Sequence, residues 1–349
     1  MTDNSALPSR ARLRQLIDGM TGRPVVMIVD LVADRFITGT PKRISREAPV
    51  LILRHEREEF IPGGGANAVA NVRALGGEPL PLGVVGDDDS GRRLLEALTE
   101  RDISTDGVTV RPGYRTPTKT RVLGGGRHAI KQQIVRYDVE DRVVLDEDDV
   151  ERISATLTGW RERAAVAVLS DYGYGAVPPE LTGAVRGALA DPAIVLADSR
   201  YRLQEFDGLD GATPNEEEAE ALLGEPLSEE PEAFRKSGRL LRDRLASRFL
   251  LITRGSQGMS LFLADGCLHL PVHGTDQVAD VTGAGDTVIG AFSLALAAGA
   301  TPAEAALLAN YAGGLVVMKT GTATISPDEL RDAVASDHAT LESSRWERY

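Results

Sequence analysis

A single cysteine, Cys267, occurs in 349 residues. No internal disulfide can form and no cysteine-rich metal cluster is available, which suits a reducing compartment. Basic charge is also short: Lys and Arg number 39 against 52 Asp and Glu, a formal net charge of −13. Nucleic-acid phosphates need basic surface, so no nucleic-acid partner is expected. A few local Arg and Lys still suffice for a small phosphorylated ligand. No Gly-Lys dipeptide exists, which removes the P-loop NTPases on their own motif. No strand–GxGxxG–helix unit is found either, which weighs against a nicotinamide-dependent oxidoreductase. The uncharged run from Thr287 to Ala303 is short for a membrane span, and Gly290, Gly299 and Pro302 interrupt it. Met1 to Asn4 lack the basic and apolar regions of a signal peptide. A cytoplasmic protein with no membrane partner is expected.

What is there centres on Asp280-Val281-Thr282-Gly283-Ala284-Gly285-Asp286-Thr287, a small-residue loop that becomes an apolar helix. The first N–H groups of a helix have no internal partners and can face an anion. A carboxylate at that point, Asp286, would be repelled by a bound phosphate unless it has work to do. Removing a proton from a hydroxyl that attacks a phosphoryl group is such work. A helix N-cap aspartate after a Gly-rich turn is the plain alternative.

With 42% of its residues hydrophobic, the chain can bury one large α/β domain or two smaller ones. Val25 to Val29 reads as a buried parallel strand, with Asp30 and Asp34 after its carboxyl end, where ligands bind in open α/β sheets. Further apolar runs at Val166–Leu169, Ile194–Ala197 and Phe249–Ile252 end in Asp171, Asp198 and Thr253-Arg254-Gly255, which suggests one ligand-binding edge. Ile44 to Arg54 and Thr116 to Asp138 differ. They alternate and are β-prone, and predict a small antiparallel sheet that closes over a site. Its apolar face would be a natural surface for a homodimer. Between them, Gly63, Gly64 and Asn67 open a helix and could bind a polyhydroxyl ligand through backbone and side-chain amides. Residues 1–22 read as an N-terminal extension with a helix near Ala11 to Met20, and residues 336–349 as a peripheral polar tail.

In order, Pro62-Gly-Gly-Gly-Ala-Asn67, Asn215-x-x-Glu218, Thr253-Arg-Gly-x-x-Gly258 and Asp280-Val-Thr-Gly-Ala-Gly-Asp286 resemble the ribokinase/PfkB carbohydrate kinases. The likeness covers about residues 23–332. Within that family the chain looks most like the D-glycero-β-D-manno-heptose 7-phosphate kinases, through Arg43 to Val50, Lys119-x-Arg-Val-Leu123, Gln132-Gln-x-x-Arg136 and Leu169-Ser-Asp-Tyr172. The resemblance implies a ribokinase-like α/β domain over 23–335. It would have a mostly parallel central sheet flanked by helices, with lid inserts near 37–61 and 113–139. It implies ATP with Mg²⁺ and a monovalent cation such as K⁺.

By the same resemblance Asp286 is the general base, and the amides of Gly283, Ala284 and Gly285 form an anion hole. Asp34, Gly63, Gly64 and Asn67 would contact the sugar, and Asp30 joins them as a candidate by its place at the end of the first strand. Lys119, Gln133 and Arg136 would grip its phosphate, with Arg121, Lys131 and Arg43 as further basic candidates in the lid. Asn215 and Glu218 would organise the metal and phosphates. Thr253, Gly255, Gly258 and Asn310 would form the nucleotide site, and Asp280 and Thr282, with Glu218, the metal ligands. The chain departs from the heptose kinases at Val29, at Tyr174 and Arg200 where they carry lysine, and in the longer lid turn from Gly124 to Lys131. These departures bear on the substrate, so a kinase for another sugar stays open, as does a sugar-phosphate sensor without turnover. The nucleotidyltransferase domain fused to some relatives is not expected before Tyr349.

Overall fold

Apolar runs without alternation become the central strands, because a parallel sheet is covered on both faces. The computed structural model describes residues 7–126, 131–274, 279–319, 321–337 and 339–349. Met1–Asn4, the middle of the long lid turn and Thr320 lie outside the described residues.

Helix α1 (Arg10–Gly19) leads into β1 (Pro24–Val29). The long antiparallel pair β2 (Leu31–Ile44) and β3 (Leu51–Gly64) then leaves the main sheet. Helix α2 (Gly65–Ala74), β4 (Glu78–Gly86), α3 (Asp89–Thr99) and β5 (Val108–Arg111) return to it. Strands β6 (Thr118–Gly124) and β7 (Gln132–Val139) go back to β2. From α4 (Glu147–Gly159) the chain alternates through β8 (Val166–Asp171), α5 (Leu181–Ala188) and β9 (Ile194–Ser199). It continues with β10 (Gly211–Ala212), α6 (Glu216–Leu223), α7 (Pro231–Arg244) and β11 (Phe249–Thr253). Antiparallel β12 (Met259–Phe262) and β13 (Gly266–Leu270) precede α8 (Ala284–Ala297), α9 (Pro302–Val316) and α10 (Pro327–Ser336), and β14 (Arg345–Arg348) closes the chain.

Ten strands form one sheet in the order β14-β13-β12-β11-β10-β9-β8-β1-β4-β5. The run from β11 to β5 is parallel, and β12, β13 and β14 add an antiparallel edge. Apolar clusters cover both of its faces, and helices α8 and α9, with nearly all their side chains buried, form much of one. The second sheet, in the order β3-β2-β6-β7, stands apart, as the lid expectation required; it is not wholly antiparallel as expected, because its two antiparallel hairpins join through β2 and β6, which run parallel. Strand β3 runs through Glu56 to Phe60, a charged segment that does not read as a buried strand, with a bulge at Glu56 where its register with β2 shifts. Its positions are mostly exposed, so no apolar run marks it; pairing with β2 alone defines it.

Both ends of the chain depart from the expected periphery. Leu13, Leu16, Ile17 and Met20 are fully buried and belong to the same core as α8 and α9. At the other end β14 pairs with β13, setting Trp346 opposite Leu268. The polar tail thus covers a sheet edge that would otherwise leave its ladder groups unpaired. Because α1 belongs to the core, Leu16→Ala should destabilise the protein by about 2–5 kcal/mol. Urea unfolding would show this as a lower midpoint at unchanged slope; a shift under about 0.5 kcal/mol, the range of surface substitutions, would mean that α1 is only an appendage.

Candidate active site

The chain reverses sharply at Gly283 (φ +79°), which caps α8, and three residues later Asp286 lies buried in the first turn. A Cβ at residue 283 would stand 2.4 Å from the Asn67 amide nitrogen. Glycine is therefore needed for Asn67 to reach past the loop. The Asn67 amide donates to Asp286 Oδ2 at 2.9 Å, and the Tyr172 hydroxyl donates to Oδ1 at 2.6 Å. Asn71 in turn donates to the Asn67 carbonyl and side-chain oxygens and accepts from Thr287. The carboxylate is thus fixed by two helices and the loop after β8.

Burial raises the Asp286 pKa to about 6, while the hydrogen bonds from Tyr172 and Asn67 pull it down. Burial, and then the Asp286 charge, push the Tyr172 hydroxyl well above its ordinary range, so it remains a donor. A carboxylate with a pKa near neutrality, fixed beside a cavity, has the properties of a general base.

The cavity has a volume of about 360 Å³ and lies where the lid meets the carboxyl ends of the central strands. Asp286, Gly283, Ala284, Gly285 and Thr282 line one side; Asp34, Gly64, Lys119 and Arg136 line the lid side; Asn215, Glu218 and Thr253 line a third. These residues come together as expected. The Ala284 amide, however, already donates to the Val281 carbonyl at 3.2 Å, which leaves Gly283 and Gly285 as the anion-facing pair. Gly63 acts indirectly: a Cβ there would lie 2.7 Å from the Asp34 carboxyl carbon, so glycine makes room for that side chain. Asp34 is itself held by Arg121 at 2.8 Å and Thr322 at 3.2 Å. Asn215 and Glu218 also cap α6, each side chain bonding the other's backbone N–H, and burial raises the Glu218 pKa.

Several sequence candidates lie elsewhere. Asp30 is fully buried behind the cavity, where it accepts the backbone N–H groups of Tyr172, Tyr174 and Ala176 at 2.8–3.0 Å. It shapes the turn that presents Tyr172 and touches no solvent-reachable surface. Asn67 is likewise committed to Asp286. Gln133 is exposed on β7 and does not line the cavity. Asn310 is buried and donates to the Pro271 carbonyl at 2.8 Å, a packing role. Gly255 and Gly258 form the turn after β11; at Gly258 (φ +81°) a Cβ would meet the Leu270 carbonyl at 2.1 Å. Asp280 accepts the N–H groups of Thr282 and Gly321 and joins two loops. Lys131 pairs with Glu56 at 2.9 Å, and Arg43 is exposed near the end of β2.

Tyr172, Asp198 and Arg200 line the cavity and were not singled out as site residues from the sequence. Asp198 ends β9, and burial raises its carboxyl pKa well above the usual range, helped by the charges of Glu218 and Asp286. Its place after an apolar run was the available signal. Tyr172 could be seen only as part of a motif.

A parallel α/β sheet with a separate β lid, and a helix start holding a buried carboxylate between them, define the ribokinase-like class of sugar kinase. A model of the pfkB family of carbohydrate kinases matches residues 24–157 and 184–329, and the chain belongs to that family. It is similar to the Bifunctional protein HldE of Pelobacter propionicus, 39% identical over 91% of this chain and 64% of that protein. The HldE of Hyphomonas neptunium is 36% identical over 93% of this chain and 66% of its own length. The chain thus spans about two thirds of these relatives. In fold it resembles Phosphofructokinase-2 from Escherichia coli, with a TM-score of 0.71 and 21% identity over 90% of this chain and 98% of that one. Arabidopsis thaliana ribokinase gives 0.70 at 21% identity, over 91% and 100%.

The Tyr172 bond stabilises the ionised form of Asp286, which is the form able to take a proton. In Tyr172→Phe the folded-state pKa should therefore rise from about 6. The acid limb of kcat/KM, which reports the free enzyme, should move to higher pH by about one unit. An unmoved limb in a folded variant would remove Asp286 as the titrating base.

Proposed function

We propose that this chain transfers the γ-phosphoryl group of ATP to a hydroxyl of a sugar phosphate. The best match is D-glycero-D-manno-heptose 7-phosphate, converted to the 1,7-bisphosphate. The observation that carries this reading is the Asp286 carboxylate, buried, fixed by Asn67 and Tyr172, and set beside Gly283 and Gly285 in a cavity that also holds Lys119, Arg136 and Arg200. The sequence resemblance to heptose 7-phosphate kinases supplies the acceptor.

Asp286 takes the proton from the acceptor hydroxyl as its oxygen forms a bond to the γ-phosphorus. The bond between that phosphorus and the bridging oxygen breaks, and the electron pair leaves with ADP. The amides of Gly283 and Gly285 at the positive end of α8 stabilise charge on the transferred group. The residues fit a divalent cation: Glu218 and Asp198 present carboxyls to the cavity, and Glu218 is the one that would hold Mg²⁺ near the ATP phosphates. When bound, Mg²⁺ neutralises phosphate charge. Asp280 and Thr282 would serve a monovalent cation through their loop, where the Asp280 carboxylate accepts one N–H group on each oxygen and keeps further lone pairs. A potassium-bound structure exists for E. coli Phosphofructokinase-2, and activity in K⁺ against Na⁺ would decide the point here.

A panel of sugar phosphates and free sugars, read by ATP consumption, tests the reaction. Heptose 7-phosphate should be turned over best, and Asp286→Asn should lower kcat by roughly 10²–10⁴-fold while ATP with Mg²⁺ still raises the melting temperature. Near wild-type turnover by a folded Asp286→Asn variant would sink the base assignment. Thermal stabilisation by NAD in place of ATP would favour an oxidoreductase.

A homodimer through the lid belongs to the same proposal. Val135 and Tyr137 on β7 are 50% and 54% exposed, and Leu51 on β3 is 43% exposed. Large apolar side chains on a free sheet invite cover. Tyr137→Asp should shift sedimentation from dimer to monomer; a monomeric wild type would refute this surface.

A further inference from the structure

Three metal-ligating side chains converge on the antiparallel edge of the main sheet, and none of them lines the active-site cavity. Cys267 and His269 are alternate residues of β13, so the pleat points both to one face. Glu347 on β14 is the cross-strand partner of Cys267 and shares that face. The thiol sulfur, an imidazole nitrogen and a carboxylate oxygen all lie within 4.8 Å of one another. Cys267 Sγ is 3.2 Å from His269 Nε2, and His269 Nδ1 is 2.8 Å from the hydroxyl of Ser260, its partner on β12. A hydroxyl that accepts the Nδ1 proton leaves the Nε2 lone pair aimed at the sulfur, which is how an outer partner orients a metal-binding imidazole. Helix α7 covers the cluster. Its Phe234 ring stands 6.1 Å from the His269 ring, and its Arg235 pairs with one Glu347 oxygen at 2.9 Å. Arg345 pairs with the other oxygen at 3.0 Å. Each oxygen keeps a further lone pair. Cys267 is fully buried, whereas His269 and Glu347 are partly exposed, which gives an ion a way in.

We propose that Cys267, His269 and Glu347 form a site for a zinc-class divalent ion that ties β14 to β13. A thiolate together with an imidazole selects zinc or a similar soft ion over Mg²⁺. Three protein ligands and one water complete a tetrahedron, with bonds of about 2.0–2.3 Å and ligand atoms about 3.4–3.6 Å apart. The Cys267–His269 pair needs to open by only a few tenths of an ångström, and the Glu347 side chain to swing in by about one. Burial pushes the Cys267 thiol up to about 11, so the ion takes the place of its proton, which passes to solvent. Arg235 and Arg345 repel a cation but hold the carboxylate in place, so the thiolate supplies most of the attraction. The ion would cross-link a four-residue strand whose sheet pairing is with β13. The site is independent of the proposed phosphoryl transfer.

Titration of the folded chain with cobalt(II), a coloured substitute for zinc, tests the site. Cys267 is the sole cysteine, so any thiolate-to-cobalt absorption band reports this one sulfur. The band should saturate at about one equivalent, disappear on adding Zn²⁺ and be unaffected by Mg²⁺. Ser260→Ala, which removes the partner of the imidazole, should weaken cobalt binding by about 10- to 100-fold. His269→Gln and Glu347→Gln, each checked by circular dichroism for an unchanged fold, should weaken it at least as much. Absence of the band from the folded wild type in a large excess of cobalt would overturn the site. So would an affinity within twofold of wild type in folded His269→Gln or Glu347→Gln, since the thiol would then bind alone. Hydrogen exchange on the wild type decides the matter if these variants unfold. Zinc should slow the amides of β14, and unchanged exchange there would refute the tie.

Discussion

The carboxylate of Asp286 is buried in its ionisable state beside a cavity, and holding it there constrains much of the molecule. An isolated buried carboxylate would protonate. Donors from Asn67 and Tyr172 oppose that, and the balance puts the pKa at about 6. Each donor has its own support. Asn67 is positioned by Asn71 on the same helix, and the turn that carries Tyr172 hangs from the buried Asp30. Removing a distant member such as Asp30 would leave three backbone N–H groups without their acceptor, so the site depends on residues that never meet a ligand.

The same constraint accounts for the glycines that matter most. Residue 283 needs a positive φ, and any side chain there would strike the Asn67 amide. Residue 63 must lack a Cβ because the Asp34 carboxylate occupies that space. Backbone and a polar side chain approach each other closely on both sides of the cavity, the Asn67 amide at Gly283 and the Asp34 carboxylate at Gly63. The lid contributes charge as well as cover. Lys119, Arg121 and Arg136 reach inward from β6 and β7 in a chain whose net charge is −13. These basic side chains face a cavity whose walls also carry the carboxyls of Asp34, Asp198, Glu218 and Asp286, so charges of both signs meet there.

The amino-acid sequence by itself determined the layered α/β architecture, the separate lid, and the loop from Asp280 to Asp286 that starts a helix. Those features are local: continuous apolar runs make buried strands, alternation makes exposed ones, and glycines next to an apolar helix make an anion-facing turn. The burial of α1 and the pairing of β14 were not legible, because a short amphipathic helix and a polar tetrapeptide look peripheral until the partner surface exists. The charged stretch of β3 has no apolar pattern of its own, and its ladder to β2 makes it a strand.

Tertiary structure alone decided which polar groups are available. Asp30, Asn67, Asn310 and Arg121 look like ligand groups in the sequence, yet each is already bonded within the fold. Lys119 and Arg200 lie 81 positions apart and become a pair only because β6 in the lid and β9 in the central sheet bring them to one tyrosine ring. A motif specifies residue types in order. Whether a donor is satisfied, and which charges are left to face a cavity, depends on contacts between segments that the order does not encode.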